Sequence, residues 1–501
     1  MLSENAYAKL GSRFRRLLAI RDAEAILHWD LATMMPSGGA AGRAEQLAEM
    51  RAVQHGILSA PETGELISDA AGLDLSTEQA ADLAEMKRMW ARANALPEDL
   101  VTALSRACSA CETVWRKARP EADFAAILPY LEDVLARVRD TAAVLSDALE
   151  LSPYDALLDE YEPGGRAGDI DAVFADLAAF LPGFLARVLD RQAGQPQAIL
   201  PQGPFPIEAQ RALGVRFMER LGFDFDHGRL DVSLHPFCGG TRDDVRITTR
   251  YDETDFTSSL MGVLHETGHA LYDMGLPANW RGRPAGEARG MSLHESQSLL
   301  IEMQVCRSPE FLGFATPIMA EAFGGDGPAW ETENLIRLYT RVQPGFIRVD
   351  ADEVTYPAHV ILRYRLERSM IEGQMEARDL PAAFNEGMQN LLGITPPDDG
   401  LGCLQDLHWY DGAWGYFPTY TLGALSAAQL FAAAKQADAQ INPAIGRGDF
   451  KPLMTWLRQN VHAKASLHST RDILTQATGK PLDAEVFKSH LEKRYLKQAW
   501  M

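Results

Sequence analysis

Residues 265–269 carry the side chains best suited to chemistry in this sequence, and they read His-Glu-Thr-Gly-His. On a helix, residues i and i+4 lie on one face, so His265 and His269 can both reach a single ion. Glu266 is turned by about 100° from His265, and its carboxylate would stand beside the ion, where it can accept a proton from water. This arrangement is used for metal-assisted hydrolysis of peptide bonds. The alternative is a core helix with two hydrogen-bonded histidines.

A catalytic zinc ion usually has three protein ligands and one open position, so the motif predicts a further ligand downstream. The segment after Gly290 offers Glu295, which a second helix packed on the first would bring to the ion. Two alternatives remain open at this point: Ser292 and Glu295 fit a helix capping box, and His294 is a rival ligand. Glu302 follows on the same helix face and is predicted to accept an imidazole N–H from a ligand.

Five more segments occur in order along the chain, and together with the two motifs above they resemble the M32 metallocarboxypeptidases, the thermostable carboxypeptidase family. They are residues 27–30 (LHWD), 235–237 (HPF), 244–248 (D-x-R-x-T), 347–352 (I-R-x-x-A-D) and 402–409 (G-x-x-Q-D-x-H-W). The resemblance covers nearly the whole chain. It implies a hydrolase that releases single C-terminal residues from peptides with broad specificity. It also implies one zinc ion per chain, for which cobalt could substitute, and a homodimer.

Such an enzyme must recognise a free C-terminal carboxylate, and an arginine side chain can bind both oxygens of that group. Arg348 is the first candidate, because the resemblance implies a substrate-side role for its segment. Asp350 and Asp352 are close enough in sequence to neutralise it, which would weaken the assignment. Arg246 is the second candidate for substrate binding. His235 is the third, with a turn role for His-Pro as the alternative.

The carbonyl oxygen that gains negative charge during hydrolysis needs a hydrogen-bond donor. His408 and Tyr420 are the predicted catalytic donors, alongside Glu266 as the general base, because imidazole and phenol groups both donate. A place in the aromatic core is the alternative for both residues, and it is the preferred interpretation for Trp409 and Phe417.

Two other functions remain open. A zinc oligopeptidase or dipeptidyl carboxypeptidase would use the same metal site, and only the carboxylate-binding arginine separates it from a carboxypeptidase. A non-enzymatic helical scaffold with a degenerate site is the second alternative, and the intact Glu266 argues against it.

The elements that must position these residues are predicted to be mostly helices. Apolar residues recur at helical spacing over residues 78–96, 98–118, 122–150, 169–192 and 206–221. Residues 230–237 and 244–251 alternate instead, with Gly239-Gly240 between them, which predicts a hairpin or small sheet. Residues 244–248 are interpreted as an edge strand that could bind an extended peptide, and a purely structural hairpin is the alternative. The expected fold class is mainly α: a large helical, gluzincin-like zinc-peptidase fold with a small β-sheet beside a long substrate groove.

Length and composition agree with a large enzyme. The chain has 501 residues, 46% of them hydrophobic, and no linker or composition break separates the motifs, so residues 1–501 are predicted to form a single extended catalytic domain. The net charge of −21 argues against a nucleic-acid partner. Five cysteines in a chain of this length do not indicate a disulfide framework. With no signal-peptide pattern and no stretch of roughly 18 apolar residues, we expect a cytoplasmic protein with no membrane partner.

Overall fold

The computed structural model describes residues 5–497, and most of them are helical. The predicted fold class, mainly α with one small sheet, is confirmed. The helices are α1 (Ala6–Thr33), α2 (Ala40–Ser59), α3 (Pro61–Ala71), α4 (Thr77–Ala95), α5 (Glu98–Glu121), α6 (Phe124–Leu149), α7 (Pro153–Tyr161), α8 (Ala167–Ala193), α9 (Ile207–Leu221), α10 (Phe256–Gly275), α11 (Met291–Leu299), α12 (Pro309–Phe323), α13 (Thr332–Tyr339), α14 (Tyr356–Ile371), α15 (Leu380–Leu392), α16 (His408–Asp411), α17 (Pro418–Ala437), α18 (Ile441–Ile445), α19 (Lys451–Asn460), α20 (Thr470–Thr478) and α21 (Ala484–Leu491). Two π-helical segments, Leu300–Cys306 and Glu492–Lys497, continue α11 and α21.

The sheet has three strands, β1 (Gly228–Val232), β2 (Cys238–Thr241) and β3 (Asp244–Thr249), in the order β1-β3-β2. Strand β1 pairs with β3 in parallel, in a register that places Leu230 opposite Ile247. Strand β2 pairs with β3 antiparallel and places Cys238 opposite the same Ile247. The edges of the sheet are therefore β1 and β2.

Two details of the predicted hairpin are wrong. Gly239 and Gly240 lie within β2, and the two residues between β2 and β3 are Arg242 and Asp243. Strand β3 is the centre of the sheet, so it cannot be the edge that accepts a peptide. The pattern misled because two of the four residues of β2 are glycines, which are depleted in strands, and only Thr241 is β-branched. Gly240 has φ +87°, where an added Cβ would lie 2.1 Å from the carbonyl oxygen of Asp244, so this strand needs glycine.

Buried apolar side chains form two clusters among the described residues. The larger cluster draws on residues between Ala107 and Tyr495. The smaller one lies within the N-terminal helices α1, α3 and α4 and consists of Tyr7, Leu10, Phe14, Leu17, Ile67, Ala70, Leu83 and Met86. A polar link joins the N-terminal helices to the rest, because the fully buried carboxylate of Asp82 accepts hydrogen bonds from the Tyr7 hydroxyl at 2.9 Å and from the Ala285 backbone N–H at 3.1 Å.

Helix α8 is the one described helix that is long and apolar enough to cross a membrane, so the expectation that no such stretch exists was wrong on composition. Length and apolarity alone are weak evidence for a span, since core helices meet the same criteria. Ile170, Phe174, Leu177 and Leu181 recur on one face of α8 and are buried in the larger cluster. These contacts are those of a helix that packs one face against the core.

Two glycines allow the helices around the predicted motifs to approach closely. An added Cβ at Gly268 on α10 would lie 2.5 Å from the carbonyl oxygen of Gln297 and 2.6 Å from the Cα of Ser298, both on α11. An added Cβ at Gly423 on α17 would lie 2.8 Å from the Cβ and the Cγ of Glu295. Helix α11 therefore packs between α10 and α17, and the backbone of α17 at Gly423 lies against the side chain of Glu295.

Candidate active site

The two motif histidines and Glu295 converge between α10 and α11. Helix α10 begins after Asp255, whose carboxylate accepts the N–H of Thr257 at 2.8 Å. One Glu295 oxygen, Oε2, lies 3.3 Å from His269 Nε2 and 3.9 Å from His265 Nε2. The potential ligand atoms of the three residues all lie within 4.8 Å of one another. Among residues 5–497, this is the one group of histidine, cysteine or acidic side chains so arranged.

The capping-box interpretation of Glu295 is wrong. Helix α11 begins at Met291, after Gly290 in a positive-φ conformation (φ 51°), so Ser292 lies inside the helix. The backbone N–H of Ser292 donates to the carboxylate of Glu162 at 3.1 Å, a partner 130 residues away. The sequence pattern for a cap was present, but a distant carboxylate satisfies the helix N-terminus, which leaves the side chain of Glu295 directed toward the two histidines.

His294 lies on the other side of His269 from Glu295. Its Nδ1 is 2.6 Å from the Nδ1 of His269, and its Nε2 is 3.2 Å from Oδ1 of Asp273. His294 therefore contacts the Nδ1 edge of His269 and is not part of the group of potential metal ligands formed by His265, His269 and Glu295.

The predicted contact of Glu302 is present. Its Oε2 lies 3.0 Å from Nδ1 of His265, and its Oε1 accepts a hydrogen bond of 2.6 Å from Arg307. Burial alone would raise the pKa of Glu302, but Arg307 and the hydrogen bond with His265 lower it. Glu302 is thus an ionised acceptor that can orient the ring of His265.

The charges in the pocket favour a cation. Burial alone would lower the pKa of His265, but Glu295, Glu302 and Glu266 together raise it to about 10. The pKa of Glu295 falls to about 2, because His265 and His269 outweigh the effect of burial. Two imidazoles and one ionised carboxylate are a donor set typical of zinc, and the three converging side chains fit a divalent ion.

Glu266 follows His265 on α10 and is 7% exposed. Its carboxylate accepts no hydrogen bond from the described residues, and burial raises its pKa to about 7, helped by the nearby charges of Glu295 and Glu302 and opposed by His265. A carboxyl group with a pKa near neutrality can both accept and return a proton.

Arg348 lies in a short 3₁₀ turn, Arg348–Asp350, and is 5% exposed. Neither Asp350 nor Asp352 neutralises it, contrary to the concern raised by the sequence. Its Nε and Nη2 donate to Oδ1 of Asp406 at 3.0 and 2.8 Å. No hydrogen bond from its Nη1 to a described residue is found. The charge of Arg348 also lowers the pKa of Glu295, so the guanidinium is close enough to this carboxylate for the two charges to interact.

Asp406 holds two arginines at once. Besides Arg348 on one oxygen, its Oδ2 accepts a hydrogen bond of 2.5 Å from Nε of Arg363. These cations keep the pKa of Asp406 far below its usual range despite burial. One carboxylate between two guanidinium groups leaves net positive charge, which is suited to a second, substrate-borne carboxylate.

Arg246 and His235 are placed less favourably. Arg246 on β3 forms an ion pair with Asp244 and lies over the ring of Trp29 on α1, 4.6 Å from its centroid. His235 is exposed in the segment between β1 and β2, where its carbonyl oxygen accepts a hydrogen bond of 2.6 Å from the Ser233 hydroxyl. His235 therefore lies in a turn, which was the alternative to a substrate-binding role. The contacts of Arg246 attach α1 to the sheet.

His408 and Tyr420 contact each other beside Arg348. His408 Nε2 lies 3.0 Å from the Tyr420 hydroxyl, and the Arg348 guanidinium is 4.6 Å from the centroid of the Tyr420 ring. Burial and the charge of Arg348 lower the pKa of His408 to about 4, and burial raises that of Tyr420 to about 12. Both side chains are neutral at neutral pH, so the phenol O–H is available as a donor.

Sequence reasoning missed three residues of this site: Tyr356, Arg363 and Asp406. The ring of Tyr356, at the start of α14, lies 6.4 Å from that of Tyr420, and its pKa is raised by burial and by Glu295. Asp406 stood in the motif G-x-x-Q-D-x-H-W, which could have identified it. No local signal marked Tyr356 or Arg363.

Comparison with known proteins agrees with this geometry. The sequence profile described as "Carboxypeptidase Taq (M32) metallopeptidase" matches residues 9–495. The chain belongs to the M32 family of metallocarboxypeptidases. The M32 profile thus spans the segments that carry the two histidines, Glu295 and Arg348.

Individual M32 proteins are similar over almost their whole length. Thermostable carboxypeptidase 1 of Thermus thermophilus is 39% identical over 508 residues, covering 99% of both chains. Carboxypeptidase 1 of Bacillus subtilis is 34% identical, covering 96% of both. The solved structure of Trypanosoma cruzi metallocarboxypeptidase 1 superimposes with a TM-score of 0.95 at 40% identity, covering 98% of this chain and 99% of that one.

As an M32 protein, the chain is a metal-dependent carboxypeptidase, a hydrolase that acts on peptides. The family also implies a divalent metal ion, for which the pocket provides fitting donors.

Proposed function

We propose that this carboxypeptidase uses one zinc ion per chain, held by His265, His269 and Glu295, and that cobalt can replace it. The observation that carries the proposal is the convergence of these three side chains from α10 and α11, with donor atoms within 4.8 Å of one another. The negative field that raises the pKa of His265 supports a divalent ion at this place.

When bound, the ion supplies Lewis-acid chemistry, lowering the pKa of water at its open position and polarising the peptide carbonyl. Glu266 is the general base: its carboxylate removes a proton from the attacking water and then passes that proton to the leaving amine. Its pKa of about 7 supports both steps near neutral pH. The products are a shortened peptide and one free C-terminal amino acid, with broad specificity for the released residue.

Arg348 binds the C-terminal carboxylate of the substrate. Asp406 fixes its Nε and Nη2, which leaves Nη1 for the substrate. Selectivity for the last peptide bond follows, because a cation at a fixed distance from the metal ligands admits only the terminal carboxylate. Arg246, already paired with Asp244, remains the second candidate for substrate binding, and the exposed His235 the third.

Tyr420 and His408 stabilise the carbonyl oxygen that gains charge during attack. The phenol donates, and the neutral imidazole at 3.0 Å holds the hydroxyl in place. Tyr356, whose pKa responds to the same Glu295 and Arg348, is a further candidate donor.

Strand β2 is the edge that binds the peptide backbone. It replaces β3, which lies in the centre of the sheet. Cys238 on β2 is close enough to Glu266 for the carboxylate to raise the pKa of its thiol. This proximity supports an extended substrate that adds to the sheet beside the general base.

We further propose a cytoplasmic homodimer of single-unit chains. Exposed apolar side chains on the N-terminal helices support an interface there: Leu31 is 42% exposed, Met34 59% and Val53 43%. Nucleic acid is not expected as a partner, given the net charge of −21. A membrane is not expected either, because α8 packs one face into the larger apolar cluster.

Metal analysis of purified variants tests the proposed centre. His265→Ala, His269→Ala and Glu295→Ala should each lose the metal. Glu266→Gln should retain it and lose activity by a factor of roughly 10² or more, the scale of general-base loss. Metal retained in Glu295→Ala would show that the ligand set is wrong. Near-normal turnover of metal-loaded Glu266→Gln would remove Glu266 from the mechanism.

A further inference from the structure

The two histidines of the proposed metal centre are supported by different chemistry. His265 turns its Nδ1 to the carboxylate of Glu302 at 3.0 Å, which is the usual partner of a ligand imidazole. Among the described residues, no carboxylate lies at hydrogen-bond distance from Nδ1 of His269. This Nδ1 lies 2.6 Å from Nδ1 of His294, and Nε2 of His294 lies 3.2 Å from Oδ1 of Asp273. A chain of two imidazoles and one carboxylate therefore supports the second ligand.

The contacts of His269 and His294 determine which ring nitrogen of each residue carries a hydrogen. An imidazole that offers the lone pair of Nε2 to a metal must carry its hydrogen on Nδ1. The two Nδ1 atoms are at hydrogen-bond distance, so one of them must donate and the other accept. If His269 donates, His294 accepts on Nδ1 and carries its own hydrogen on Nε2, directed at Asp273. The reverse assignment would put a hydrogen on Nε2 of His269, facing Glu295, and would block coordination.

The packing of α10 against α11 fixes the relative positions of His269, His294 and Asp273. His294 and Glu295 are consecutive on α11, so they reach opposite edges of the same His269 ring, at 2.6 and 3.3 Å. Asp273 follows His269 by one helical turn on α10. The ring of His294 also packs edge-on against Tyr272 with centroids 5.3 Å apart. One packed pair of helices thus supplies both the ligand and the group that orients it.

We propose that His294 is a positioning residue that fixes the metal-binding tautomer of His269, and that Asp273 fixes His294 in turn. The proposal rests on the ligand set proposed above. Without His294, the N–H of His269 loses its acceptor, the ring can rotate or change tautomer, and the ion is bound more weakly. His294→Gln should restore part of the effect, because a side-chain carbonyl can accept the same N–H.

The test measures zinc affinity of the full-length protein by competition with a chromophoric chelator. His294→Ala should bind zinc about 10- to 100-fold more weakly, the range for the loss of such a partner, and Asp273→Asn should show a smaller effect. His462→Ala is the matched control, since His462 packs on the same Tyr272 with centroids 5.2 Å apart but hydrogen-bonds Gln297 instead of a ligand. It should bind zinc as the parent does. The visible absorption bands of the cobalt-loaded protein should shift in His294→Ala and not in the control.

The outcomes separate this proposal from the ligand set. Parent-like zinc affinity in His294→Ala, with zinc lost from His269→Ala, overturns the positioning role and leaves the ligands standing. Equal weakening in His294→Ala and His462→Ala, without rescue by His294→Gln, also overturns it, because general packing would explain the loss. Retained zinc in His269→Ala overturns the ligand set itself. Weakening confined to the His294 and Asp273 variants, partly reversed by glutamine, supports the proposal.

Discussion

Replacing Arg348 by alanine should abolish the preference for a free C-terminal carboxylate. The side chains of Arg348 and Asp406 are only 6% and 9% exposed, so solvent does little to screen their charges. Removing one partner of a desolvated charge pair costs about 2 kcal/mol or more, which corresponds to roughly a 30-fold loss at 1.4 kcal/mol per factor of ten. We therefore expect kcat/KM for a free-acid peptide to fall at least that far.

The assay compares one peptide as the free acid and as the C-terminal amide. The substitution also deprives Asp406 of one of its two arginines, but Arg363 still donates to it at 2.5 Å, and any resulting disturbance acts on both substrates alike. The acid-to-amide ratio of kcat/KM isolates the carboxylate contact and should collapse toward one. Arg246→Ala is the control and should keep the parent ratio. A collapse in Arg246→Ala instead would place the carboxylate-binding arginine on β3. An unchanged ratio in both variants would show that neither arginine recognises the C-terminal carboxylate.

Three further predictions concern stability, metal retention and assembly. Burial raises the pKa of Glu367 to about 7, although Tyr154 and Trp409 donate hydrogen bonds to it. The folded state therefore holds a proton that the unfolded state releases at about pH 4.3. The contribution of this group to stability is fully present below about pH 4.3 and falls until about pH 7. In urea unfolding, the free energy of unfolding of Glu367→Gln should therefore rise relative to that of the parent by on the order of 3 kcal/mol between pH 4 and pH 8. An equal difference between the two proteins at both pH values would contradict this. Gly423→Ala should displace Glu295, whose Cβ and Cγ would lie 2.8 Å from the new methyl group, and lower the zinc content, whereas Gly313→Ala, with nothing within 4 Å, should leave it unchanged; equal zinc content in both would reject the close-packing argument. Light scattering at micromolar concentration should give twice the 55.2 kDa chain mass, and a mass near that of one chain would refute the dimer.

The parts of the site that follow from local geometry could be predicted from the sequence. His265 and His269 share a helix face because four residues make about one turn. Glu302 follows Glu295 by seven residues, about two turns, so it reaches His265 once α11 packs on α10. The i, i+4 rule needs no knowledge of the tertiary fold. The same is true of the mainly helical fold class.

The parts that depend on distant packing could not be predicted. Asp406 binds Arg348 across 58 residues, and Glu162 binds the Ser292 N–H across 130. The first contact shows that Asp406, and not Asp350 or Asp352, pairs with Arg348. The second shows that Ser292 and Glu295 do not form a helix capping box. Neither is visible in a local pattern, because the chain brings the partners together only when the helices pack.

The glycines illustrate the same limit. The sequence indicates no role for Gly268 within the histidine motif, and it places Gly239-Gly240 between two predicted strands. In the structure, Gly268 lets α10 contact α11, and Gly240 lies in a strand at a position where a Cβ would clash with the carbonyl oxygen of Asp244. A glycine signals that a side chain is absent, but what occupies the space depends on the fold.

A timed digest of one peptide, followed by mass spectrometry, tests whether the enzyme needs its metal and removes residues one at a time from a free C-terminus. The peptide is offered as the free acid and as the amide, with the parent enzyme, with the chelator-treated enzyme, and after zinc is restored. We predict a ladder of products that lose one C-terminal residue at a time from the acid, little cleavage of the amide, no ladder after chelation, and recovery with zinc. Internal cleavage products, or equal digestion of acid and amide, would contradict the proposed carboxylate clamp. A ladder that persists after complete metal removal would contradict the metal centre itself.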